Sequence, residues 1–276
     1  MQKLASLLAI LLIVGLLGTN FAYGDYTEYM KIRIESDKPN VCVFEAENPQ
    51  VDFAKRGLYK KTVKWISEWS KQLEKEANGG NWDFTYEFIH NSTHFDKKPT
   101  DFPQCNVLIV FDAENLNPIE SDLGMAQGYT SFDYRSSTHK FSFIDIFTFA
   151  PTNEINLGQL DFTNMTKNAD GSYEVKLGKE MFTSEPISDE AIRIVIQHEF
   201  AHAMGLGHWS DTTKNDFKSI MVPQFDVRAK GLENIKITLD DIKALIELYG
   251  EDGFSKYYQV LIPDLAYGWE KSVMKN

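Results

Sequence analysis

Three of the chain's six histidines lie within one short run, His198-Glu199-Phe200-Ala201-His202-Ala203-Met204-Gly205-Leu206-Gly207-His208. On an α-helix, positions four apart sit one turn above the other on the same face, so His198 and His202 can turn two imidazole nitrogens toward one metal ion. A straight helix cannot bring a third ligand in at the right angle. Gly205 stands where the chain must turn away, because glycine takes a left-handed backbone without a Cβ penalty. His208 can then swing back as the third ligand. Three nitrogen ligands suit Zn2+ and leave one tetrahedral position for water, which is the arrangement of a reactive site rather than a structural one. Glu199 stands beside that water as the candidate general base. A lone histidine on an apolar helix is usually a packed or surface residue. The glycine and the third histidine at fixed offsets argue against that reading here.

Such ligands need a rigid support. Ser188 is placed to cap a helix, with Asp189 and Glu190 in its first turn where carboxylates favour the positive end of the dipole. Ile192, Ile196, Phe200 and Ala203 form an apolar stripe, and Ala191 and Val195 extend the face that carries His198 and His202. Glu190, Arg193 and Gln197 form the polar strip, so the helix is expected to be buried on most sides. Upstream, 30–34 and 41–45 read as short strands around the turn-like Ser36-Asp37-Lys38-Pro39-Asn40. The spacing of Tyr59, Val63, Ile66, Trp69 and Leu73 predicts a long helix over 51–76, ended by Asn78-Gly79-Gly80-Asn81. Strands are expected over 82–89, 106–111, 128–134 and 141–149. Within 151–187, Asn168-Ala169-Asp170-Gly171 reads as a hairpin turn between Leu160-Asp161-Phe162 and Tyr173-Glu174-Val175. A calcium loop there fails on its first and last ligand positions, which hold Thr166 and Leu177.

Two segments beyond the histidines complete the pattern. Ser219-Ile220-Met221-Val222-Pro223 resembles the methionine turn that metzincin peptidases carry beneath their zinc. The run from Thr238 through Asp241, Leu248 and Tyr249 to Gly250 is similar to the closing helix of the matrixin branch. The chain thus resembles the matrixin-like metzincins, with motifs over roughly 188–250 and a likeness of layout upstream. That resemblance implies an α+β fold with a twisted mixed sheet, a long first helix, a central zinc helix, a Met-turn and a closing C-terminal helix. It implies zinc-dependent peptide hydrolysis, with His198, His202 and His208 as ligands, Glu199 as base and Met221 as a floor rather than a ligand. Its substrate would be a polypeptide bound extended along a sheet edge, for which 128–134 is the candidate by order. Trp209 replaces a frequent serine, and the spacer from His208 to Met221 is longer than usual, which puts the specificity wall over 209–236 in question. Two alternatives have other chemistry: a secreted binding module without catalysis, against which Glu199 argues, and a zinc hydrolase of a non-peptide amide.

The bulk properties set the frame. With 276 residues, 43% of them hydrophobic, there is room for one sizeable globular domain plus extensions. A formal net charge of −12 argues against nucleic acid or anionic membrane as partners. Lys3, the uncharged run 4–18 and Ala22-Tyr23-Gly24 read as an export signal over 1–24, cleaved before Asp25, with an uncleaved anchor as the alternative. The expected organisation is a catalytic domain over 25–250 with an insertion near 151–187, then an extension over 251–276. The expected location is secreted or cell-surface, without stable membrane association after cleavage. Cys42 and Cys105 suit either one disulfide or two inert buried thiols. A latency role for Cys42 lacks the arginine and glycine that matrixin switches place around their cysteine. His90 and His94 read as surface residues flanking a sequon at Asn91, a second sequon stands at Asn164, and His139 carries no assigned role.

Overall fold

Continuous apolar runs such as Val107-Leu108-Ile109-Val110-Phe111 belong to strands covered on both faces, and a mostly parallel sheet forms around them. The computed structural model describes residues 33–90, 101–113, 127–134, 138–155, 165–167, 173–175, 182–208, 218–222 and 226–255. The export segment 1–24, the sequons at Asn91 and Asn164, His94, the turn 168–171, Trp209, Pro223 and residues 256–276 lie outside these.

The main sheet contains β1 (Arg33–Ile34), β2 (Asn40–Phe44), β3 (Thr85–Ile89), β4 (Val107–Asp112), β5 (Gly128–Tyr134) and β6 (Thr138–Phe147). Strands β3, β2, β4 and β6 lie side by side and parallel. β5 runs antiparallel along β6, and β1 pairs with the first residues of β6, Arg33 opposite Thr138. Alternation sorts the side chains. Val41, Val43, Val107, Ile109, Phe111, Ile144 and Ile146 face the helices and build the main core. Cys42, Phe44, Leu108, Val110 and Phe141 face the other way and form a smaller cluster with Phe102 and Cys105. A disulfide joins Cys42 to Cys105 there, with Cα atoms 5.7 Å apart. It closes a loop of 63 residues, worth about 4 kcal/mol in the chain-entropy model.

The long first helix starts later than its periodicity predicts. A 3-10 turn, Pro49–Val51, and a short helix α1 (Phe53–Arg56) precede α2 (Leu58–Glu76). Left-handed backbone at Asp52 (φ 53°) and Gly57 (φ 62°) interrupts the run, a break that apolar spacing does not register. The buried stripe is turned accordingly, with Leu58, Thr62, Trp65, Ile66, Trp69 and Leu73 inside and Tyr59 and Val63 only half-buried.

Helix α3 (Asp189–Ala203) begins where Ser188 Oγ accepts the Ala191 N–H at 3.1 Å. Arg56 binds Asp189 at 2.7 Å, and Lys61 binds its other oxygen. Burial alone would raise the Asp189 carboxyl, but hydrogen bonds from Lys61 and Arg56 hold it below the usual range. The polar strip of α3 is an internal seam. Gln197, fully buried, donates to the Trp65 carbonyl at 3.0 Å and to Glu68 Oε2 at 2.7 Å. Arg193 donates to Gln197 Oε1 at 2.6 Å and to the Ile235 carbonyl at 2.7 Å. The helix is therefore clamped to α2 on one side and to the segment before the last helix on another.

Residues 149–186 contain two antiparallel pairs. β7 (Phe149–Ile155) continues from β6 and pairs with a strand just ahead of α3; β8 (Met165–Lys167) pairs with β9 (Tyr173–Val175); the partner of β7 is β10 (Phe182–Pro186). The strand leading into the hairpin is thus at 165–167, while the expected 160–162 lies outside the described residues. The last helix, α4 (Leu239–Tyr249), has a reciprocal capping box between Thr238 and Asp241. Residues 251–255 continue into the core: Phe254 packs on Trp82, Phe84 and Tyr249 with ring centroids 5.4, 4.9 and 5.2 Å away.

Candidate metal centre

The end of α3 builds the centre. Its C-cap is Met204, and Gly205 follows at φ 103°. The Gly205 N–H bonds the His202 carbonyl at 2.8 Å and the Leu206 N–H bonds the Ala201 carbonyl at 3.0 Å, which is the Schellman closure that a left-handed residue permits. The two remaining carbonyls are capped from far away. His139 Nε2 reaches the Ala203 carbonyl at 2.8 Å and the Tyr249 hydroxyl donates to the Met204 carbonyl at 3.0 Å. The Tyr249 oxygen in turn accepts the Ile34 N–H at 3.0 Å. All the last carbonyls of the helix are satisfied, so its final turn is held rather than frayed.

That turn aims three imidazoles at one place. His198 Nε2 lies 3.0 Å from His202 Nε2 and 3.0 Å from His208 Nε2, and the last pair is 3.1 Å apart. The contact between His198 and His202 is not a hydrogen bond. His198 Nδ1 donates to the Ile220 carbonyl at 2.7 Å and His202 Nδ1 donates to the Leu206 carbonyl at 2.7 Å, so both rings carry a lone pair at Nε2. Lone pairs converging at this spacing repel one another until a cation takes them, and nitrogens about 3 Å apart can each lie about 2.1 Å from a common Zn2+. The donor set fits that ion. Burial, then the charges of His202 and His208, press the His198 imidazolium well below its ordinary range. Burial also lowers His202, and burial with the charge of His202 takes His208 to about 3. All three rings are thereby kept neutral, the form a metal requires.

The Met-turn segment supports His198 through its backbone. The Ile220 N–H bonds the Lys236 carbonyl at 2.8 Å and the Lys236 N–H bonds the Lys218 carbonyl at 2.9 Å, which fixes the strip that offers the Ile220 carbonyl to His198. Ser219 Oγ accepts the Met221 N–H at 2.9 Å and donates to Asp241 Oδ1 at 2.7 Å. Asp241 Oδ2 closes the capping box on Thr238, with N and Oγ1 each 2.8 Å away. Asp241 and Met221 are fully buried. The carboxylate that caps α4 thus also ties down the turn beneath the histidines.

Glu199 is turned toward β5. Thr130 Oγ1 lies 2.6 Å from Glu199 Oε2 and 2.9 Å from the Glu199 carbonyl oxygen. A Cβ added at Gly128 would fall 2.6 Å from Glu199 Cγ and 2.8 Å from Oε1, so only glycine lets the carboxylate lie this close to the strand. Burial raises the Glu199 carboxyl to about 7, against the pull of the Thr130 hydrogen bond.

Sequence reasoning named His198, Glu199, His202, His208 and Met221; the three imidazoles converge, and Met221 follows Ile220, whose carbonyl accepts from His198. It placed Gly128 and Thr130 only within the candidate substrate edge 128–134, and it did not foresee the supporting hydrogen bonds of His139, Ser219, Asp241 or Tyr249. Gly128 within a strand pattern was a usable signal of close approach, and the Thr238/Asp241 spacing signalled a cap. Nothing in the sequence marked His139. His90 is exposed, 3.4 Å from Glu45 and apart from the centre.

The family model of the matrixins matches residues 93–250, more than half of the chain, and spans His198, His202, His208, the Met-turn segment and α4. No curated protein matches the chain. A mostly parallel sheet, a helix ending at a glycine and three converging imidazoles agree with a metzincin fold, and the chain belongs to the matrixin family.

Proposed function

We propose that the protein is an exported zinc endopeptidase. The observation that carries this is the convergence of three Nε2 atoms, with the Nδ1 sides of His198 and His202 occupied by backbone carbonyls. His198, His202 and His208 would hold Zn2+, which would supply Lewis acidity to the scissile carbonyl and make the attacking water more acidic. Glu199 takes one proton from the attacking water. The water oxygen bonds to the carbonyl carbon, the C–N bond breaks, and Glu199 returns the proton to the departing amine nitrogen. Met221 packs beneath the imidazoles and binds nothing through its sulfur.

Substrate lies extended along β5. One edge of β5 pairs with β6, and among the described residues no strand pairs with its other edge, which offers backbone donors and acceptors beside Glu199. Export rests on the 1–24 signal, cleaved before Asp25 to leave a catalytic domain over 25–250 with its insertion near 151–187 and an extension over 251–276. Among the described residues no helix is long and apolar enough to cross a membrane.

Two variants test the reading on the same preparation. Glu199→Gln is expected to bind about one zinc per chain and to lose about 10²- to 10⁴-fold in peptide hydrolysis. His202→Ala is expected to lose metal and activity together, because two imidazoles make an incomplete site. Metal analysis and chelator-sensitive cleavage of a casein-like substrate decide it. Wild-type hydrolysis by Glu199→Gln would end the proposed mechanism.

A further inference from the structure

Strand alternation places Gly128 and Thr130 on the α3 side of β5 and sends Tyr129, 46% exposed, to the other. The carboxylate of Glu199 therefore lies along the backbone of β5, with Oε1 over Gly128 and Oε2 at the Thr130 hydroxyl. We propose that Thr130 is a positioning residue for the reaction: its hydroxyl pins Glu199 Oε2 and leaves Oε1 as the oxygen that takes the proton from water. This rests on the peptidase reading above.

Three observations support the assignment. The Thr130 to Glu199 Oε2 distance of 2.6 Å is that of a hydroxyl donating to a charged oxygen, shorter than the 2.9 Å to the main-chain carbonyl. A hydroxyl has one proton to give, and the ionised oxygen is the stronger acceptor. Among the described residues Oε1 accepts no hydrogen bond, so the two carboxylate oxygens are already different before substrate arrives. A β-branched side chain on a strand is stiff at χ1, so Thr130 offers its hydroxyl from a restricted position. Because Thr130 belongs to the strand that substrate pairs with, the base and the substrate backbone share one ruler. Misplacing a reacting group slightly is costly in rate even when binding survives.

The experiment uses the full-length protein with Thr130→Val, which keeps the shape and removes the hydroxyl, and Thr130→Ser, which keeps the hydroxyl. Thr130→Val is expected to retain about one zinc per chain and an unchanged KM while kcat falls about 10-fold. Thr130→Ser should recover most of that loss. In a Glu199→Gln background, Thr130→Val should cost nothing further, because the two residues act as one unit. A readout independent of turnover is the infrared carboxylate band of Glu199 in metal-free protein, assigned by difference against Glu199→Gln, which should shift in Thr130→Val. A hydroxyl serving only structure would lower the unfolding temperature and leave kcat alone. An unchanged kcat in Thr130→Val, or an equal loss in the Glu199→Gln background, overturns the proposal. If the wild-type protein cleaved no peptide, the peptidase reading would fall and the role in reaction with it. A shifted carboxylate band would then show that the Thr130 to Glu199 contact itself is real.

Discussion

Two imidazoles on one helix are held in opposite ways. His202 gives its Nδ1 proton to the Leu206 carbonyl, four residues along the chain, whereas His198 gives its own to the Ile220 carbonyl, 22 residues away. The first support is made by the turn that ends α3. The second exists only after the Met-turn strip has been paired with Lys236 and anchored through Ser219 to Asp241. The metal centre is thus half local and half tertiary, and its two halves should fail differently.

The largest expected effect is on the tertiary half. Asp241→Ala leaves Ser219 Oγ and the Thr238 N–H without their buried acceptor, a loss of about 3 kcal/mol in stability. With the Ile220 carbonyl released, zinc affinity should fall about 10- to 100-fold. Chemical denaturation and competition with a chelator measure the two. Lost stability with unchanged zinc affinity would show that His198 does not depend on the Asp241 anchor.

Gly205→Ala attacks the local half. The backbone there is at φ 103°, where a Cβ costs about 1 to 2 kcal/mol, and relief of that strain would move the Leu206 carbonyl away from His202. A smaller loss of stability than in Asp241→Ala is expected, with a clear loss of zinc affinity. If chelator competition found Gly205→Ala indistinguishable from wild type, the local support of His202 would be dispensable.

His139 supports neither ring directly, and it sharpens the contrast. Packed on Phe132 and donating to the Ala203 carbonyl, it is held neutral by burial, so its pKa in the fold lies below the ordinary 6.5. Below that ordinary value the unfolded chain binds a proton that the folded chain refuses. The contribution is therefore intact above about pH 6.5 and declines as pH falls, by at most about 1.4 kcal/mol per pH unit. His139→Gln keeps a donor and removes the titration. The difference in stability between wild type and His139→Gln, followed from pH 7.5 to 5, should narrow toward acid; a constant difference would contradict the buried neutral ring.

The same division explains what was legible in the sequence. His198, Glu199, His202, Gly205 and His208 declare themselves because their spacing is the geometry: a helical turn, a left-handed residue, a return. Ser188 and the Thr238/Asp241 pair are visible for the same reason, as caps that act within three residues. The break at Asp52 was hidden, since left-handed backbone at a non-glycine residue follows from its surroundings and not from its type. Thr130, His139 and Tyr249 were hidden more deeply. Each acts on α3 across 45 to 69 residues of chain, and no local pattern encodes such a pairing. Gln197 misled in the other direction: a polar residue on a helix reads as solvent-facing, yet here it is satisfied internally by Trp65 and Glu68.

The chain beyond α4 sets a practical limit on engineering. Gly253 meets the Asn81 backbone so closely that an added Cβ would fall 2.4 Å from the Asn81 oxygen, and Phe254 closes over Trp82, Phe84 and Tyr249. Tyr249 is the residue that caps the Met204 carbonyl at the end of the zinc helix. A truncated form cut at the end of α4, or a fusion partner attached there, would uncover that tyrosine from behind and loosen the last turn of α3 that carries His202. Any shortened or tagged version of this protein should therefore keep its chain through Ser255.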